Sequence, residues 1–95
     1  MTAPEALVAT KRRLIERGWR KGSVGGKTGP NCLVGALEHE IPDNEWPTAG
    51  TIAMAALRAA TGQRSLVAWN DAQIGVGNVL AAIDNAIKEL QACPT

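Results

Sequence analysis

The chain contains no phenylalanine and no tyrosine, so its three tryptophans are its only aromatic side chains. Trp19 follows Gly18, Trp46 precedes Pro47, and Trp69 opens the triplet Trp69-Asn70-Asp71. Each stands where a helical pattern stops, and an indole can bury roughly 200 Å². The three are therefore expected to supply most of the large packing surface, pinning helix ends and loops onto an Ala- and Leu-rich core. Histidine is nearly absent too. With one His and two Cys, and no Cys-x-x-Cys spacing, a zinc site lacks conventional ligands. No metal or cofactor is expected. Cys32 and Cys93 read as reduced thiols, with a bridge between them as the alternative. No apolar run approaches the ~20 residues of a membrane span. Met1-Thr2-Ala3-Pro4-Glu5 has neither the basic start nor the apolar run of a signal peptide. The expected compartment is the cytoplasm, with no membrane partner.

What is present is a single-domain length, 95 residues, with 45% hydrophobic and 20% charged side chains. The net charge of +1 hides an uneven distribution. Lys11, Arg12, Arg13, Arg17, Arg20, Lys21 and Lys27 are opposed in their stretch only by Glu16, and Glu38, Glu40, Asp43 and Glu45 follow. Opposite blocks can attract one another within a domain, so the asymmetry alone does not demand an external partner.

The first helix is expected from about Ala3 to Arg17, with Thr2 as N-cap, Pro4 in the first turn and Glu5 complementing the positive end. At 100° per residue Leu7, Val8, Leu14 and Ile15 share a face, with Arg12, Arg13, Glu16 and Arg17 opposite. Lys11 falls inside the apolar arc and is expected to lay its methylenes over the core edge. Gly18 ends the helix. Gly22 to Pro30 is a Gly-rich loop. A second helix, capped by Asn31, should turn Cys32, Leu33, Ala36 and Leu37 inward and end near Glu40. Pro42 and Pro47 frame an acidic connector. A third helix should run from about Thr48 to before Gly62, its face rich in small residues. Ser65 to Trp69 reads as a short buried extended segment. The last helix, capped by Asn78, should bury Val79, Ile83, Ala86, Ile87 and Leu90, pair Asp84 with Lys88, and end at Pro94.

Gly22-Ser-Val-Gly-Gly-Lys-Thr28 invites comparison with a P-loop, which places four residues between its first glycine and Gly-Lys-Thr. Here that position is Lys21, the loop follows a helix rather than a strand, and Gly29-Pro30 interrupts any helix directly after Thr28. A loose anion site built from Lys27 and glycine amides, or a plain linker, fits better. Cys32 at a helix start could carry a lowered thiol pKa. His39, however, lies two helical turns away, about 10.5 Å along the axis, too far for direct proton transfer. A buried structural cysteine is the expected role. Asn70 and Asp71 are expected, with Trp69, to staple the loop before the last helix through backbone bonds. The competing role for Asp71 is a catalytic carboxylate, but no second acidic residue is near it in sequence. Arg12, Arg13, Arg17, Trp19, Arg20 and Lys21 form a basic, Trp-bearing region suited to a macromolecular partner. Either a protein surface or nucleic-acid phosphates would fit, and a solvated, partly self-paired face is the plain alternative.

Several of these pieces together resemble an uncharacterised family of small proteins from actinobacteria and their phages. The resemblance is carried by Leu14-Ile15-Glu16-x-Gly18-Trp19 and Cys32-Leu33-x-Gly35-Ala36-Leu37. It continues in Leu66-x-x-Trp69-Asn70-Asp71 and Val79-x-x-x-Ile83-x-x-Ala86-Ile87. Order and spacing carry it from Leu14 to Ile87, while Gly22 to Thr28 contributes little. Members often have a threonine soon after the Trp-Asn-Asp triplet, where this chain has Ala72-Gln73-Ile74-Gly75. The resemblance implies a phage or bacterial setting and no activity.

The expected fold is all-α, a compact single-domain bundle spanning 1–95. It has about four helices, the Gly-rich loop and the short extended segment before the last helix. The expected function is that of a non-enzymatic accessory protein that binds another macromolecule, a protein before a nucleic acid. A small enzyme using Cys32 or Asp71 is the alternative.

Overall fold

The computed structural model describes residues 1–92. Cys93 and the helix-ending Pro94 lie outside the described residues. Five α-helices follow in order: α1 (Ala3–Arg17), α2 (Leu33–Glu40), α3 (Thr51–Thr61), α4 (Leu66–Asp71) and α5 (Val76–Ala92). Among the described residues there is no β-strand, only an isolated parallel bridge between Trp19 and Asn31.

Local chemistry explains most helix boundaries. Thr2 Oγ1 accepts the Glu5 N–H at 3.2 Å and Glu5 Oε1 accepts the Thr2 N–H at 2.7 Å. This reciprocal capping box satisfies two otherwise orphaned donors of α1. Gly18 closes the helix with its N–H on the Leu14 carbonyl. The buried face of α1 differs from the expected one: Ala3, Ala6, Leu7, Thr10, Arg13 and Leu14 are inside, while Val8 and Ile15 are 45% and 61% exposed. The helix turns two polar side chains inward, one satisfied by its own helix and one by acceptors from other segments. Thr10 Oγ1 donates to the Ala6 carbonyl at 2.8 Å, and Arg13 meets a set of acceptors described below. Lys11 reaches out to Asp84 of α5 at 2.7 Å, displacing the expected Asp84–Lys88 pair.

The cap of α2 is Cys32, whose Sγ accepts the Gly35 N–H at 3.4 Å, rather than Asn31. The acidic connector coils into a 3-10 turn (Asp43–Glu45) and a π-helical turn (Trp46–Gly50) before α3, so regular α-helix begins at Thr51 instead of Thr48. The expected extended segment is helical: Ser65 Oγ accepts the Ala68 N–H at 3.2 Å and starts α4. A short helix places Leu66 and Asn70 on the same inward side, four residues apart. α5 begins two residues before Asn78, whose amide donates to Gln73 Oε1 instead of capping.

α1 packs on α2, α3 and α5, and α3 on α5. The fully buried centre is aliphatic: Leu7, Leu33, Leu37, Leu57, Val79 and Ile83. Each such side chain contributes about 1.5–3 kcal/mol on leaving water. The tryptophans are only partly buried and pack at the margin of this core. They pin the edges, as expected, but leave the bulk of the packing to aliphatic side chains. Among the described residues no helix is long and apolar enough to cross a membrane.

Candidate functional site

The chain between α1 and α2 crosses the end of the bundle where α4 also terminates, and buried polar side chains hold it there. Asn70, fully buried on α4, is the hub. Its Oδ1 accepts the Trp19 indole N–H at 2.6 Å and the Leu33 N–H at 3.0 Å, and its Nδ2 donates to the Arg20 carbonyl at 3.1 Å. One amide thus ties the exit of α1, the start of α2 and α4 together. Beside it, Asp71 Oδ1 accepts the Gly22 N–H at 2.9 Å. That backbone bond, aided by the Asn70 amide and the Lys21 charge, holds the Asp71 carboxyl below its usual range.

A second buried pair secures the rest of the loop. Asn31, with no exposed surface, donates from Nδ2 to the carbonyls of Val24 and Gly26, both at 3.0 Å. Its Oδ1 accepts from Arg13 Nε at 2.8 Å. The Arg13 guanidinium also bonds Glu40 Oε2 at 2.8 Å and the Lys27 carbonyl. Guanidinium suits this task because its planar fork can serve three directions at once. Two glycines let the loop lie close. Gly25 has φ +81°, and a Cβ there would overlap the Pro30 carbonyl; a Cβ on Gly35 of α2 would overlap the Val24 carbonyl.

The expected partner-binding residues therefore divide. Arg12, Arg17, Arg20 and Lys21 are exposed, and Lys21 Nζ donates to the Gln73 carbonyl at 3.0 Å. Arg13 does not belong with them: it is 7% exposed and faces inward, because Asn31, Glu40 and Lys27 supply acceptors that a surface position would lack. Trp19 is partly buried with its N–H committed to Asn70. Of the residues given structural roles, Cys32 is a buried free thiol, Trp69 is partly buried, Asn70 is buried, and Asp71 is exposed with its carboxylate on the loop.

Cys32 and His39 occupy opposite ends of α2, His39 being exposed in the last turn. The N-terminus of α2, where an anion would be favoured, is already filled by Cys32 Sγ and Asn70 Oδ1. Surface hollows of about 380 Å³ (Asn85, Lys88, Glu89, Ala92) and 360 Å³ (Pro4, Glu5, Val8, Ala9, Arg12, Gln91) lie on other faces, with none of Cys32, His39, Asn70 or Asp71 in their walls. Among the described residues no group of three or more His, Cys, Asp or Glu could hold a metal ion.

Sequence reasoning passed over Arg13 and Asn31 as partners. The available signal was phase: Arg13 repeats with Ala3, Ala6 and Thr10 at helical spacing, on the small-residue side of α1. Weighting the large apolar side chains Val8 and Ile15 obscured it.

Comparison with curated proteins and with solved structures finds no match. A family model matches residues 1–89. On that match, which spans α1 to α4 and nearly all of α5, the chain belongs to the family of unknown function DUF6197.

Proposed function

We propose that this chain is a non-enzymatic binding protein that docks onto an acidic surface of another protein, in the cytoplasm of an actinobacterium or during infection by its phage. The observation that carries this reading is the disposition of the cations between Lys11 and Lys27. The fold takes up Lys11 with Asp84 and Arg13 with Glu40. Arg12, Arg17, Arg20, Lys21 and Lys27 are left exposed, with no ion pair among the described residues. Arg17, Arg20, Lys21 and Lys27 follow one another from the end of α1 into the loop, while Arg12 lines the separate hollow with Pro4 and Gln91. Exposed cations of this kind steer acidic partners and suppress basic ones. The polar groups with catalytic chemistry argue the same way. Asn70, Asn31 and the Asp71 carboxylate are engaged in holding backbone, which is scaffold work rather than substrate chemistry.

The test is charge reversal at Arg17 and Arg20 to glutamate, with Arg13 untouched because it is internal and Lys21 untouched because its ammonium holds the Gln73 carbonyl. Exposed substitutions usually change stability by less than about 0.5 kcal/mol, so circular dichroism and the unfolding midpoint should stay near wild type. Capture of a discrete host protein by the wild-type chain should be lost in the variant. Undiminished capture by the variant removes this region from the function. Tight duplex or single-stranded DNA binding by the wild type, with a steep salt slope, replaces the protein partner with nucleic acid.

A further inference from the structure

The Gly-rich loop is held by its carbonyl groups, and that decides where its amides point. Asn31 Nδ2 draws the carbonyl of Gly26 inward, and Arg13 draws that of Lys27. Both donors are buried, whereas Gly26, Lys27 and Thr28 are exposed. In an extended chain successive carbonyls point to opposite sides, so two consecutive inward carbonyls require a local curl. Among the described residues there is no cis peptide, and across a trans peptide the C=O of one residue and the N–H of the next point in opposite directions. The N–H groups of Lys27 and Thr28 are therefore both directed away from Asn31 and Arg13, in a stretch whose residues are exposed. Among the described residues neither donates to a protein acceptor. Successive amides on one side form the kind of concavity that accepts an anion.

We propose that the outer face of this loop is an oxyanion-binding site, in which the Lys27 and Thr28 amides and the Lys27 ammonium hold a phosphate or carboxylate group. The amides are pre-oriented, because turning them would break the bonds of Asn31 and Arg13 to the carbonyls behind. A ligand therefore meets donors that need little reorganisation. Arg17, Arg20 and Lys21, close by in sequence and exposed, raise the local anion concentration without having to touch the ligand. The site is no nucleotide-hydrolysing P-loop: its donors follow a helix, precede Gly29-Pro30 and rest on an arginine–asparagine support. It shares Lys27 and its neighbouring cations with the docking region proposed above, but it does not require that partner, because the small anions of the titration below test it without one.

The experiment is an amide-resolved NMR titration of the whole chain with inorganic phosphate and, separately, with acetate, each referenced to sodium chloride at matched ionic strength. The Lys27 and Thr28 amide protons should move downfield along one shared saturable curve. The anion that saturates at lower concentration identifies the ligand's oxyanion class. Lys27→Ala should weaken the binding on the order of tenfold, the loss of one charge-assisted contact. Asn31→Ala should abolish the saturable response by freeing the Val24 and Gly26 carbonyls; if that variant does not fold, the wild type and Lys27→Ala decide the matter. Shifts no larger than those produced by chloride, or saturable shifts confined to other residues, overturn the site.

Discussion

Asn70 concentrates more structural consequence than any other polar side chain of the bundle end. Its amide is fully buried and bonds Trp19, Leu33 and Arg20 from three separate segments. Asn70→Ala would strand an indole N–H, a helix-start N–H and a carbonyl. Each buried group left unpaired costs about 1–3 kcal/mol, so chemical denaturation should show a sharply lowered midpoint; an unchanged midpoint would refute the hub. Asp71 beside it yields a pH-dependent counterpart. Its folded pKa is depressed, first by the Gly22 N–H and then by the Asn70 amide. The stabilisation is therefore full above the unfolded carboxyl value, about 3.9, and fades as pH falls through the lower folded value. Asp71→Asn should be less stable than wild type at neutral pH, and the gap should close on acidification below about pH 4. A gap constant across that range would detach Asp71 from the loop.

Elements meet at backbone distance where α2 supports the loop. Gly35 lies against Val24, and the Val24 carbonyl is itself held by Asn31. Alanine in place of glycine inside a helix ordinarily gains about 1 kcal/mol. At Gly35 the added methyl would push on a carbonyl that cannot withdraw without losing its donor. Overpacking of this kind costs about 1–3 kcal/mol, so the clash should offset or outweigh the propensity gain. Gly35→Ala should fail to raise the unfolding midpoint, and it should speed hydrogen exchange of the amides from 22 to 28. A stabilised variant with unchanged exchange would show that the loop does not rest on α2.

At the scale of the molecule, α1 is the organising element, packed on α2, α3 and α5 around one aliphatic centre. The radius of gyration, 12.1 Å, matches the roughly 12–13 Å of a compact domain of this length. A single core predicts one cooperative transition. Far-UV circular dichroism and tryptophan fluorescence should report the same midpoint, because Trp19, Trp46 and Trp69 all border that core. Cys32, buried at the head of α2, should react with a thiol reagent only on the same transition. Fast labelling of the native protein would mean that the loop end opens separately, and would reopen a chemical role for this thiol.

The helical class and several helix ends were legible in the chain because their causes act within a turn of backbone. The Thr2 cap, Gly18, Gly62 and the apolar phase of α5 each need only near neighbours. The short extended segment expected over Ser65 to Trp69 is an error of the same local kind, since so short an apolar run carries too little periodicity to separate strand from helix. The rotation of α1 was of another kind. Hydrophobicity favoured burying Val8 and Ile15, yet Arg13 went inside because acceptors 18 and 27 residues away converge on it. Asn70 likewise shows in sequence as a staple for its own neighbourhood, but its bonds reach back 37 to 51 residues to α2 and Trp19. Burying a charge or an amide is favourable only when its partners are already in place. Those partners come from segments that the chain brings together by folding, so tertiary packing, not local pattern, selected which polar side chains hold the loop.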